Sequence, residues 1–277
     1  EDDEIISEGA IRLASVLKGR GVRAALLLDE GTTTHMDGSA FGAEGTYVQG
    51  LCLSQKGFLT VRLHAAGFGG HSSNPFGATS LEKICAAVQS IRNALPAPHF
   101  TELMLGALEE LGVVADDMLL ERLANTEESF PYVADTMAVT QIEGSSPSEN
   151  ILPYDATATI NFRLLPGHDI EAFLDCIRAA AGDGIEVELV HATPAARVDA
   201  PSGELYEMLK GAFSHCYPGV SFVPLCMRGG CDAMDSSALT QTGLKEPKIK
   251  KPKAKPCIIV VFFILTPFWW QFIWPTT

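Results

Sequence analysis

Any chemistry in this chain has to come from a few polar side chains set in loops. Asp2, Asp3 and Glu4 follow Glu1 at the start of the sequence. Neighbouring carboxylates there can act as a general base and a metal ligand, or as a solvated acidic terminus. Asp29-Glu30-Gly31 closes a short apolar run, Ala24 to Leu28. The carboxyl end of a buried strand is where ligands collect in open α/β sheets. Gly69-Gly70-His71-Ser72-Ser73-Asn74-Pro75 places an imidazole and two hydroxyls in a glycine loop. A serine nucleophile elbow needs G-x-S-x-G, and here the fifth residue is Asn74, so a serine hydrolase is rejected. Arg163 stands at the end of an alternating strand before Leu164-Leu165-Pro166-Gly167. Its fork can clamp a carboxylate; the plainer role is a surface arginine on an edge strand.

The elements that must position these residues follow from periodicity. Ala10, Leu13, Ala14 and Leu17 form a helical stripe ended by Gly19, and the strand ending at Leu28 follows. A further strand is expected near Tyr47–Leu53. From Phe58 the period becomes two, with Leu59, Val61 and Leu63 alternating with Thr60, Arg62 and His64. The glycine loop and a helix near Thr79–Leu95 come next, and 101–127 reads as helical. Strands are expected at Met137–Ile142, Ala156–Phe162 and Ile185–Val190, with a helix near Ile170–Ala181 before the last. A helix at 202–214 and a strand at Ser221–Leu225 complete the pattern. The fold class is therefore α/β, with a small α+β sandwich inserted. Residues 1–56 begin the outer domain, 57–195 form the inserted sandwich, 196–240 return to the outer domain, and 241–277 are an atypical tail.

Composition narrows the field. The 277 residues are 47% apolar, enough for a packed core. Their net charge of -14 argues against a nucleic-acid surface, which needs a basic stripe. Seven cysteines are scattered singly, with no C-x-x-C pair. They read as reduced thiols in a core, and the expected setting is cytoplasmic. No H-E-x-x-H occurs, which removes a self-contained helical zinc site. Six of the ten lysines fall between Lys245 and Lys255, ahead of the mostly apolar segment Cys257–Trp274. That segment is a membrane contact only if the tail is genuine. The abrupt change after about Leu239 fits an altered reading frame better than an anchor.

The order of these blocks resembles one family. Asp3-Glu4, Gly9-Ala10, Arg20-Gly21-Val22, Leu28-Asp29-Glu30-Gly31 and Lys56-Gly57-Phe58 carry the likeness, with Gly69 to Pro75. Glu149-Asn150-Ile151-Leu152-Pro153, Asn161 to Gly167 and Gly229-Gly230-Cys231-Asp232 complete it over about residues 2–235. The pattern is similar to the zinc-dependent aminoacylases and carboxypeptidases of metallopeptidase family 20, especially the carboxypeptidase S and Gly-Xaa carboxypeptidase branch. The resemblance implies a two-zinc α/β catalytic domain interrupted by an α+β lid that makes homodimers. It implies Asp3 in the general-base place, Glu4 and Asp29 as zinc ligands with Glu30 the lesser choice, and His71 stabilising the oxyanion in the partner subunit's site. Asn150 and Arg163 would hold the substrate backbone and carboxylate, and Gly229 and Gly230 would line the pocket. The substrate class is a small peptide or an N-acyl amino acid, cut at an amide next to a free carboxylate.

The chain also departs from the pattern. Asp3 stands where the family has Glu, the family's His-x-Asp block would precede residue 1, and Met234 and Asp235 stand where Arg and His are usual. No histidine follows His215. Zinc prefers imidazole beside oxygen, so the chain as written is expected not to turn over. The rival expectation is a non-catalytic dimerising or ligand-binding module that has lost its metals.

Overall fold

The computed structural model describes residues 8–21, 27–28, 36–230 and 260–261. Asp3, Glu4, Asp29, Glu30, residues 231–259 and residues 262–277 lie outside them. Two compact units are present, 1–32 with 230–277, and 33–229. In the first, helix α1 spans Glu8–Gly19, and strand β1 (Leu27–Leu28) pairs in parallel with β9 (Val260–Val261). Of the expected α1 stripe, Ala14 is buried with Leu17 against it, whereas Leu13 is exposed.

The second unit contains two sheets. β2 (Met36–Asp37), β3 (Tyr47–Gln55) and β8 (Val220–Met227) form one in the order β2-β3-β8, with β3 and β8 parallel. Helices α3 (Glu102–Glu110) and α4 (Asp117–Ala124) and the single turn α5 (Phe130–Val133) share its core. Val48, Val223 and Leu225 of the sheet meet Met104, Leu108, Leu123 and Tyr132 there. The stretch read as one helical region is thus two helices. Gly112, at φ 67, turns the chain between them, and the side chains of Thr101 and Asp116 cap their first turns.

The other sheet comprises β5 (Thr136–Glu143), β6 (Asp155–Leu164), β4 (Gly57–Ala66) and β7 (Ile185–Thr193), in that order and antiparallel throughout. Alternation decides which face is buried. Leu59, Val61, Leu63 and Ala65 of β4 and Ala156, Ala158, Ile160, Phe162 and Leu164 of β6 pack on α2 (Ser80–Asn93) and α6 (Ile170–Ala181). Ile84, Ile91, Phe173 and Ile177 supply the helical side of that core. Thr79 and Glu82 form a reciprocal capping box that starts α2, and Asp169 caps α6 through the Ala172 amide. Helix α7 (Glu204–Cys216) precedes β8, and its Phe213 stacks on Phe222.

A single residue, Lys56, separates β3 from β4 and so joins the two sheets. Of the described cysteines only Cys226 is buried, Cys52 is half-buried, and Cys85, Cys176 and Cys216 are exposed. The thiols are free as expected, but most do not belong to a core. A small side chain on the outer face of a helix or at its end is tolerated without burial, so cysteine count alone does not place it.

Candidate functional site on the lid domain

The glycine loop leaves β4 at Ala66 and runs back against the segment that enters β6. Gly69, at φ +64, lies so close to the Tyr154 ring that an added Cβ would sit 2.3 Å from a ring carbon. Only glycine permits both the backbone conformation and the approach. Two backbone bonds then clamp the strands, Ser72 N–H to Asn150 O at 2.8 Å and Leu152 N–H to Gly70 O at 2.8 Å. His71 and Ile151 form the antiparallel bridge between them.

This clamp brings together two residues 79 positions apart. Asn150 Nδ2 is 3.1 Å from His71 Nε2. The other ring nitrogen, Nδ1, receives the Ser73 N–H at 3.1 Å and lies 2.7 Å from Ser73 Oγ. Ser148 Oγ bonds Asn150 Oδ1 at 2.7 Å, and Ser146 Oγ donates to Ser148 O at 2.7 Å. Every side chain of this chain of bonds is exposed or half-buried, so a ligand can reach it without displacing core residues. Phe68, Phe76 and Tyr154 are also exposed beside it.

Arg163 does not join that group within one subunit. The register pairs Ala66 with Asp155 at one end of the sheet and Gly57 with Leu164 at the other. Eight residues of strand separate Asp155 from Arg163, about 26 Å at 3.3 Å per residue. Arg163 is half-buried on β6, which is an inner strand, so the edge-strand alternative for it fails. Its guanidinium carbon lies 4.5 Å from the Phe58 ring centre, a cation over an aromatic face directly across the ladder. Gly229 follows the end of β8, near that same end of the sheet, where the Lys56 N–H bonds Met227 O at 3.0 Å, and Gly230 begins the return of the chain to the other unit.

Sequence reasoning missed what surrounds this hinge. Lys56 is 2% exposed and its Nζ donates to Ala134 O at 2.6 Å. Burial pushes its pKa down to about 8, with Asp135 and Cys226 opposing and Arg163 and Arg228 adding to the fall. Asp135, itself buried, accepts the Leu165 N–H at 2.7 Å and meets His168 Nε2 at 2.8 Å. The bond to Asp135 raises the His168 pKa against the opposing effect of burial. The only sequence signal was the Lys56-Gly57-Phe58 block, which gave no hint that the lysine is inside.

Among the described residues no group of three or more His, Cys, Asp or Glu side chains fits a metal ion. The carboxylates carried over as ligands, Glu4 and Asp29, lie outside those residues, as does Asp3. No helix among the described residues is long and apolar enough to cross a membrane.

Comparison with known proteins bears on the same region. Residues 53–186 match the Peptidase dimerisation domain. An N-fatty-acyl-amino acid synthase/hydrolase, PM20D1.1 of Danio rerio, is 27% identical over 243 residues, covering 80% of this chain and 46% of that protein. The protein named "Probable carboxypeptidase S-like 2" of Dictyostelium discoideum is 22% identical over 230 residues, covering 78% of this chain and 44% of its own. The chain therefore spans about half the length of these relatives. Among solved structures, the di-peptidase Dug1p of Saccharomyces cerevisiae aligns with a TM-score of 0.54 at 14% identity, over 84% of this chain and 55% of that one. That likeness concerns the fold. Residues 53–186 thus match a peptidase dimerisation domain, and over most of its length the chain is similar to these hydrolase and carboxypeptidase-like relatives, in line with the resemblance of its ordered sequence blocks.

Proposed function

We propose that this chain supplies the lid and part of the catalytic domain of a metal-dependent hydrolase of amide bonds next to a free carboxylate. Its substrates would be N-acyl amino acids or small peptides. The observation that carries the reading is the exposed His71–Asn150 pair, gathered across 79 residues by the glycine loop. An imidazole N–H and an amide held together at the tip of a dimerisation domain suit an oxyanion and a substrate backbone. The names of the relatives, an N-fatty-acyl-amino acid synthase/hydrolase and a carboxypeptidase S-like protein, favour the same bond type.

Within one chain His71 and Arg163 are too far apart to share a small substrate. A homodimer resolves this if His71 of one protomer serves the site to which its partner brings Arg163, Gly229 and Gly230. The outer strands β5 and β7 leave Val139, Ile142, Leu189 and Val190 exposed, surface suited to a second copy. Zinc enters this proposal through Glu4 and Asp29 as oxygen ligands, with Asp3 as the base. Bound zinc would supply an activated water at neutral pH.

The test is hydrolysis of dipeptides and N-acyl amino acids with added zinc, by this chain and by a version fused to a His-x-Asp segment and a C-terminal family histidine. Activity in the fused form should vanish in His71→Ala and in an Arg163→Ala variant. Mixing the two inactive variants should restore up to a quarter to a half of it, because one site of each hybrid dimer is intact. No activity in the fused form would favour the non-catalytic module, and no rescue on mixing would remove the shared site.

A further inference from the structure

We infer that Ser73 and Ser148 are positioning residues that hold His71 as a fixed Nε2–H donor and keep Asn150 in place to receive it. The argument starts from the one group in the cluster whose polarity cannot change. A backbone N–H only donates, and that of Ser73 lies 3.1 Å from His71 Nδ1. Nδ1 must then carry the lone pair, and the neutral ring carries its proton on Nε2.

Nε2–H faces the end of the Asn150 amide at 3.1 Å. Two N–H donors cannot bond each other. The oxygen and nitrogen of an amide occupy nearly equivalent positions, so the end turned to His71 is Oδ1. Asn150 Nδ2 is then the atom toward Ser148, whose hydroxyl 2.7 Å away accepts as readily as it donates. From His71 Nε2 to Ser148 every donor then faces an acceptor, while the Ser73 N–H and hydroxyl share the single Nδ1 lone pair; no other arrangement keeps the Ser73 amide bonded.

The Ser73 hydroxyl gives the arrangement a second property. It lies 2.7 Å from Nδ1 and can accept a proton placed there. Protonation of the ring therefore changes only the Ser73 side, and Nε2–H points toward Asn150 in both charge states. His71 is thus a donor whose direction is independent of its protonation. This rests on the reading of His71 as the donor to an oxyanion. A substrate oxygen would take Nε2–H over from Asn150 Oδ1, while Ser148 keeps the freed amide from swinging away.

The experiment is nitrogen NMR of the full chain labelled in its histidine rings, with His71→Gln used to assign the His71 signals. The expected result is a lone pair on Nδ1 and a proton on Nε2. Ser73→Ala keeps the backbone donor and should keep that tautomer. A proton on Nδ1 in the unsubstituted chain, or a switch to it in Ser73→Ala, overturns the inference. N-acetylglycine should then shift the Nε2 signal, and Ser148→Ala should weaken that binding by about two- to tenfold, the usual effect of one hydrogen bond. Unchanged affinity in Ser148→Ala removes its positioning role. If N-acetylglycine shifts nothing while the tautomer holds, it is the substrate reading that fails, and the tautomer assignment stands.

Discussion

At the Gly57/Leu164 end of the lid sheet, charged groups are buried and tied to backbone that other elements supply. At the Ala66/Asp155 end, polar groups are exposed and bonded mainly to one another. Both ends have a histidine held by a polar partner, His168 by Asp135 and His71 by Asn150. Their energetics differ because Lys56 and Asp135 are shut off from solvent, whereas His71 and Asn150 are open to it. A buried charge that loses its partner has no solvent to fall back on, whereas an exposed amide or imidazole rebonds to water. The hinge end is therefore expected to govern stability, and the tip to govern ligand recognition at little cost to the fold.

The largest effect that tests this division is at Asp135. Asp135→Ala leaves the Leu165 N–H without its acceptor and His168 without its anion, and it removes an opposing charge that acts on Lys56. Breaking a buried pair from one side costs about 3–5 kcal/mol. Urea unfolding should register that loss; a change below about 1 kcal/mol would mean that the hinge charges are solvated and the contrast between the ends is false.

At the tip, His71→Ala and Asn150→Ala should alter unfolding free energy by no more than about 0.5 kcal/mol, as exposed positions do. In a complete active dimer, His71→Ala should lower kcat by about 100- to 1000-fold on the proposed reading of His71 as the oxyanion donor. A destabilisation as large as that of Asp135→Ala would assign the tip a structural role instead.

How far these ends were legible in the sequence follows the same contrast. Strict alternation from Leu59 to Leu63 and the spacing of Ile170–Ala181 are local signals, and β4 and α6 follow them. His71, Asn150 and Arg163 stood out because their motifs are ordered like a known family's. That Arg163 lies a strand's length from the other two follows from sheet register, which no local pattern states. Lys56 was illegible for a different reason. A lone lysine between two strands reads as solvent-facing, and only the crossing of β3, β4, the end of β8 and Ala134 encloses it. Asp135 and His168 likewise meet only because β5 and β6 pair.

Lys56 offers a pH-dependent version of the comparison. Its amine titrates near 10.5 when unfolded and about 8 when folded, so between these values the folded chain binds fewer protons. Stability attributable to Lys56 therefore rises with pH across that window, by roughly 3 kcal/mol at most. Burial pushes Cys226 up to about 11 and Tyr132 up to about 12, and both oppose this at the alkaline side. The measurement is accordingly a difference. Lys56→Met, which keeps the apolar stem and loses the bond to Ala134 O, should match the unsubstituted chain within about 1 kcal/mol near pH 7, because the lost charge-assisted bond and the removed desolvation cost nearly offset. It should fall behind as pH approaches 10. Parallel curves would mean that the amine reaches water.

The smallest effect concerns His168 and sharpens the comparison most finely. Its folded pKa is raised above 6.5, first by the hydrogen bond that its Nε2–H donates to the Asp135 carboxylate, with burial working the other way. A base whose pKa rises on folding contributes stability that is complete below the unfolded value and is lost as pH climbs through the folded one. Between these two values the unsubstituted chain should lose stability as pH increases. His168→Gln keeps an N–H donor beside the Asp135 carboxylate but cannot titrate, so its unfolding free energy should lack that decline. The exposed pairs Arg62–Glu188 and His64–Glu186 are common to both proteins, and exposed pairs contribute little in any case. A difference curve that falls with pH locates the titrating group at the hinge. A flat one would show that His168 stays neutral beside Asp135, which would leave the carboxylate's Leu165 bond as the whole of its structural role.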